Sequence, residues 1–222
     1  MLNGKSKKMN DDKVKYIKES CKINNQVFKL IHKYIKTGVT EKELAEKMEE
    51  LYNLKGCKEL AFPIIVAFGK NSANIHHEPT NKKLKKNDII MIDAGCKYKG
   101  YCSDKTRTFV YGKADKTFRT RSKLIKKAYK EAKKMAEPSL DTRKLHLKAV
   151  EILGDYEMPH ALGHGVGKDV HEKPIISSKE EHNVKLEKGM IFTIEPGIYI
   201  KNWGGIRYED TFLLTKRGCK RL

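Results

Sequence analysis

Apolar positions in the first part of the chain recur mainly at three- and four-residue intervals. Val14, Ile17, Cys21, Val27, Ile31 and Ile35 follow this pattern, which predicts a helix from about Asp12 to Lys36. A second helix is predicted from Thr40, where Thr40 and Glu43 have the spacing of a capping box, to near Gly56. The pattern then turns strand-like. Leu60–Gly69 reads as a strand, and so does the apolar run Asp88–Asp93, bounded by Asn87-Asp88 before it and the turn signal Lys97-Tyr98-Lys99-Gly100 after it. A return strand rich in Thr, Phe, Val and Tyr runs from Tyr101 toward Tyr111. Two more helices are predicted near Asp115–Glu137 and Asp141–Leu153, with strands from there to the end. Helices followed by strands, twice over, read as an α+β fold resembling an internal duplication, although identity between the halves is too low to establish one.

Two of these strand pairs carry opposed acids. If the chain folds back near Tyr98-Lys99, Asp93 falls opposite Asp104, and opposed side chains on one face lie about 4.5–5.5 Å apart at Cβ. Two like charges so placed destabilise a hairpin unless a cation neutralises them. Met190–Glu195 is again apolar and strand-like, Pro196 holds Glu195 extended, and Asn202-Trp203-Gly204-Gly205 reads as a turn. A hairpin about Asn202 sets Glu195 opposite Glu209, with Arg207 one alternate position away on the same face and able to orient a ligand carboxylate. His164 lies between Gly163 and Gly165, where missing side chains allow close backbone approach, and His160 and His171 are near it in sequence. Four carboxylates with one imidazole form a hard ligand set. It suits a pair of divalent cations better than one tetrahedral zinc, and such a pair activates water for hydrolysis.

The segments IDAGCKYKGYCSDKTRTF, PHALGHGVGKDVHEKP and GMIFTIEPGIYI with GGIRYEDT resemble the signature of the pita-bread metallopeptidases, the family of methionine aminopeptidases and Xaa-Pro peptidases. The resemblance runs from about Lys13 to the last residue. It implies the pita-bread fold, a curved antiparallel sheet covered by two helix pairs with pseudo-two-fold symmetry, over residues 13–222; the basic residues 1–12 before it are expected, as a chain terminus, to be flexible. It also implies that Asp93 binds the second of two metal ions, that Asp104 and Glu209 bridge both, and that His164 and Glu195 bind the first. The ions implied are Mn²⁺, with Co²⁺ or Zn²⁺ as alternatives. Glu195 would shuttle the proton, His76 and His171 would steady the carbonyl and the tetrahedral intermediate, and His160 would shape a proline subsite. Arg207 and these three histidines would make up the substrate-binding set.

The short stretch from Glu195 to Glu209 and the HEKP tail resemble the Xaa-Pro aminopeptidases and prolidases, whereas methionine aminopeptidases carry a longer insert. The activity implied is hydrolysis of the N-terminal peptide bond of Xaa-Pro peptides. The alternatives are methionine aminopeptidase-type activity and a basic, non-catalytic relative that binds RNA or protein. Some positions depart from the pattern. The amino-terminal domain usual in the Xaa-Pro branch is expected to be absent, His77-Glu78 stands where a glycine is common, and Ile175 replaces a frequent arginine.

Composition adds bounds. A chain of 222 residues with 39% hydrophobic content suits one domain of generous size. No apolar run approaches a membrane span, and the charged start is followed by no secretory-type apolar region. Five cysteines without C-x-x-C spacing suit a reduced, cytoplasmic setting, with Cys96 and Cys102 expected near each other across the first hairpin as packing thiols. The net charge of +19 sits in lysine runs without interleaved aromatic residues. It reads as a solvated surface rather than a nucleic-acid platform. The expected partners are a peptide substrate and a second copy of the chain in a homodimer, with no membrane.

Overall fold

The computed structural model describes residues 2–222, with side chains from Asp12 onward. Of the segment 1–12 expected to be flexible, Met1 lies outside the described residues, and the backbone from Leu2 on belongs to the first helix. The first helix, α1 (Leu2–Ile31), ends earlier than its apolar spacing predicts, because His32–Tyr34 tighten into a 3-10 turn. In α2 (Glu41–Leu54) the capping box is present: Thr40 Oγ1 accepts from Glu43 N at 3.1 Å, and Glu43 Oε2 accepts from Thr40 N at 2.8 Å.

The strand expected over Leu60–Gly69 is split into β1 (Glu59–Leu60) and β2 (Ile65–Phe68). Pro63, which lacks an N–H, lies in the interruption. Then come β3 (Ile89–Ala94), β4 (Cys96–Tyr98), β5 (Tyr101–Cys102) and β6 (Lys105–Val110). The second half repeats the plan with α3 (Lys116–Met135), whose N-cap Asp115 accepts from Phe118 N at 2.6 Å, and α4 (Thr142–Leu153). Its strands are β7 (Gly163–Gly165), β8 (Glu172–Ile176), β9 (Ile191–Ile194), β10 (Gly197–Ile200), β11 (Gly204–Arg207), β12 (Asp210–Thr215) and β13 (Gly218–Arg221).

Each half has its own core. Val27, Ile31, Leu44, Met48 and Tyr52 from α1 and α2 pack on Val66, Phe68, Ile90 and Ile92. Ile125, Ala132, Leu145 and Ala149 from α3 and α4 pack on Phe192, Ile194 and Phe212. The strands pair antiparallel throughout, in four ladders: β2-β3-β6, β1-β4-β5, β13-β12-β9-β7-β8 and β10-β11. The ladders break at Gly95, at Ser103-Asp104, at Glu195-Pro196 and at Tyr208-Glu209. Three of the expected ligand residues therefore sit where the backbone leaves the sheet.

The first hairpin differs from its expected register. Asp93 stands opposite Thr106, not Asp104, and Lys97 stands opposite Cys102. The turn is Lys99-Gly100, with φ of 52° and 77°, as a two-residue turn of the primed kind requires. That is one residue later than Tyr98-Lys99, which moves the register by two. Asp104 consequently becomes the diagonal neighbour of Asp93 on the same face. Cys96 and Cys102 are not neighbours across the hairpin; they lie in different core clusters, and all five thiols are unpaired. The second hairpin has the expected register. Gly197 opposite Arg207 and Ile194 opposite Asp210 bracket Glu195 and Glu209, with Asn202 at the turn in the left-handed region. Among the described residues, no helix is long and apolar enough to cross a membrane.

Candidate metal centre

The two hairpins and β7 converge on a cleft of about 510 Å³. It is lined by Asp93, Asp104, His164, Glu195 and Glu209, together with His76, His160, His171 and Arg207. His164 reaches it because β7 lies tight against its neighbours. A Cβ on Gly163 would stand 2.0 Å from the Thr193 carbonyl oxygen, and one on Gly165 2.2 Å from that of Lys173. Only glycine fits on either side of this histidine.

One potential ligand atom each from Asp104, His164 and Glu209 lies within 4.8 Å of the other two. His164 Nε2 is 3.4 Å from both Asp104 Oδ2 and Glu195 Oε1. Asp93 Oδ1 and Glu209 Oε1 are buried and have no hydrogen-bond partner among the described residues. Leaving such oxygens unanswered costs about 1–3 kcal/mol each, or more when charged.

The electrostatics point the same way. Burial pushes the Asp104 and Glu209 carboxyls well above the usual carboxylate range, and the charges of Asp93 and Glu195 add to the shift. Burial raises Glu195 to about 8. It also lowers His164 to about 4, with His171 contributing. Four acids this close cannot all ionise without cations. The donor set, the unpartnered oxygens and the crowded charge all fit a pair of divalent ions.

A supporting layer of hydrogen bonds fixes these side chains. Arg207 Nη2 donates to Asp93 Oδ2 at 2.5 Å, Nη1 to Tyr199 Oη at 2.7 Å, and Nε to Thr106 Oγ1 at 3.0 Å. Thr106 Oγ1 donates to Glu209 Oε2 at 2.6 Å, and Thr193 Oγ1 accepts from His164 N at 3.1 Å. His160 Nδ1 lies 2.7 Å from Ala161 O, and its Nε2 lies 2.9 Å from Tyr199 Oη. Burial depresses His160 to about 4, so it is neutral, with Nδ1–H donating and Nε2 accepting. Behind the cleft, buried Asp210 accepts from Lys105 Nζ at 2.9 Å, Arg107 Nη2 at 2.7 Å and Tyr129 Oη at 2.6 Å. This ties β6, α3 and β12 together beside Asp104 and Glu209.

All the residues singled out in the sequence reach the cleft. His76 and His171 are exposed on its wall, and the His171 ring stands edge-on to His164 at 4.3 Å between centroids. Neither makes a hydrogen bond to the acids. Tyr199, Thr106 and Thr193 hydrogen-bond to the candidate site residues and were missed by sequence reasoning. Spacing could have pointed to them, since Thr193 lies two residues before Glu195, Tyr199 four after it, and Thr106 two after Asp104.

Residues 15–216 match metallopeptidase family M24, and the chain belongs to that family, with its pita-bread fold. The Xaa-Pro dipeptidase of Pyrococcus furiosus is 38% identical over 216 residues, covering 95% of this chain and 61% of its own length. The Xaa-Pro dipeptidase of Pyrococcus horikoshii is also 38% identical, with 96% and 61% covered. Among solved structures, the prolidase from Pyrococcus furiosus superposes with a TM-score of 0.91 at 38% identity, over 95% of this chain and 63% of that one. The X-Pro aminopeptidase from Thermotoga maritima superposes with a TM-score of 0.91 at 32% identity, over 98% and 64%. The chain thus spans about 61% of the length of the curated relatives it matches.

Proposed function

We propose that residues 13–222 form a dinuclear metal-dependent aminopeptidase domain that hydrolyses the N-terminal peptide bond of Xaa-Pro peptides. The observation that carries this reading is the pair of unpartnered buried oxygens, Asp93 Oδ1 and Glu209 Oε1, in one cleft with Asp104, Glu195 and His164. Asp93 would hold the second ion, Asp104 and Glu209 would bridge, and His164 and Glu195 would hold the first. Mn²⁺ is the ion proposed, with Co²⁺ or Zn²⁺ as alternatives. Bound there, the ions supply Lewis acidity toward the scissile carbonyl and a more acidic water at neutral pH.

The chain's own residues do the rest. Glu195 takes the proton of the attacking water and passes it to the leaving nitrogen. His171 and His76 donate from the cleft wall to the carbonyl oxygen as charge develops on it. His160, held neutral by burial and fixed by Tyr199, presents a rigid edge beside the bound proline. Phe62, Ile64, Ile75 and Ile175 give that ring an apolar surround from which water is excluded. Arg207 holds Asp93 in place through one arm of its guanidinium fork. The Xaa-Pro preference is supported by the short Glu195–Glu209 hairpin and by the names of the relatives. The unpaired thiols are in keeping with a reducing, cytoplasmic setting.

The test is a substrate panel of Met-Ala-x, Ala-Pro-x and the Ala-Pro dipeptide with added Mn²⁺. Cleavage of Ala-Pro substrates but not Met-Ala-x is expected, and the reverse preference would replace this reading with the methionine-specific one.

A further inference from the structure

We infer that Glu41 is a positioning residue that sets the His76 wall of the cleft, an inference that rests on the substrate-side role proposed for His76. Glu41 opens α2, and its side chain is 0% exposed. A buried carboxylate has to be answered by donors, and those of Glu41 all come from one stretch of chain. Oε1 accepts from Phe68 N at 2.7 Å and from Asn71 Nδ2 at 2.9 Å. Oε2 accepts from Thr80 N at 3.0 Å and Thr80 Oγ1 at 2.6 Å, and stands 2.8 Å from His77 Nε2. Burial works against the charge, but the bonds from Thr80 and His77 outweigh it and hold the carboxyl below its usual range. Glu41 is therefore ionised at neutral pH and can accept from all of these donors together.

The partners bracket His76 from the end of β2 to Thr80. Residues 74–80 form neither helix nor strand, so no ladder holds them. Ser72 Oγ, which accepts from Gly205 N, and Lys82 Nζ, which donates to Phe68 O, act only outside that stretch. Within it, the side chains that make hydrogen bonds are those of His77 and Thr80, and both reach Glu41; the Thr80 carbonyl oxygen also accepts from Lys42 N at 3.1 Å, and Asn74 N donates back to Asn71 O at 3.0 Å. Holding His77 inward leaves its neighbour His76 exposed at the cleft. The nearby acid Glu43 serves differently, since its bonds only cap α2.

A double-mutant cycle in the metal-loaded protein, with an Ala-Pro substrate, tests this directly. Glu41→Gln keeps the size and removes the charge. Bound metal should stay at the wild-type level while kcat/KM falls by up to about a hundredfold, the scale of an ångström-level misplacement. If Glu41 acts through His76, the combined variant with His76→Ala is no worse than His76→Ala alone. Thr80→Val removes one donor and should give a smaller loss of the same kind. It takes the place of Glu41→Gln in the cycle if that variant does not fold. The His76 ring resonances, followed by NMR, should shift in both variants. Losses that multiply in the combined variant, or unmoved His76 resonances in a folded Glu41→Gln protein, overturn the inference. If the wild-type protein cleaves no peptide, the functional reading fails, and the His76 resonances still decide the role of Glu41.

Discussion

Arg207 is 2% exposed, and each nitrogen of its guanidinium has its own partner in Asp93, Tyr199 or Thr106. A lysine ammonium cannot reproduce that planar fork. Arg207→Lys should therefore release Asp93 and weaken metal binding on its side about 10–100-fold, the usual effect of losing a ligand's hydrogen-bond partner. Calorimetric titration of the metal-free variant with Mn²⁺ measures it, and wild-type affinity would show that Asp93 needs no such hold. The five candidate ligand residues could be singled out in the sequence because the four acids recur in two pairs at hairpin spacing and His164 stands between two glycines. Arg207 was legible as lying on the right face and able to orient a ligand carboxylate, but not as to which one. Its partner Asp93 is 114 residues away on the other hairpin, and no local spacing encodes that meeting. Glu41 was illegible for the same reason, since its donors lie beyond the helix it opens.

Elements place those residues through backbone closeness as much as through side chains. A Cβ on Gly163 would meet the backbone oxygen of Thr193, which cannot swing away as a side chain could. Gly163→Ala should cost about 1–3 kcal/mol as β7 is pushed off β9. It should also weaken metal binding, because His164 moves with the strand. Urea unfolding checks the first effect, and an unchanged midpoint would mean that the contact relaxes freely. The second hairpin could be read correctly because Asn202, ahead of two glycines, marks its turn. The first could not, because Lys99 adopts the left-handed conformation that lysine seldom takes, and Tyr98-Lys99 looked as suitable as Lys99-Gly100. The two-residue slip left Asp93 and Asp104 on one face, so both still line the cleft despite the wrong register.

At the scale of the molecule, the alternation of helix pairs and strands predicted the architecture, and each half folds around its own core. The ladder breaks beside Asp104, Glu195 and Glu209 were not predictable from periodicity, because they arise where strands of the two halves meet. The fold also has a pH dependence of its own. His146, on α4, is buried with Nδ1 unpartnered among the described residues, and burial lowers its pKa below the ordinary 6.5. A histidine so depressed contributes stability above its unfolded pKa and loses it as pH falls toward the lowered folded value. The stability of His146→Leu relative to wild type should therefore rise as pH falls from about 7 to about 5, as read from urea midpoints. A constant difference would mean that His146 titrates alike folded and unfolded. The paired metal site can be tested by counting its ions. Its most direct measurement is the Mn²⁺ content of wild-type and Asp104→Ala protein after reconstitution and removal of free metal. The account predicts two ions per wild-type chain and loss of both ions and Ala-Pro hydrolysis in the variant; a single ion in the wild type, or two retained in Asp104→Ala, would contradict it.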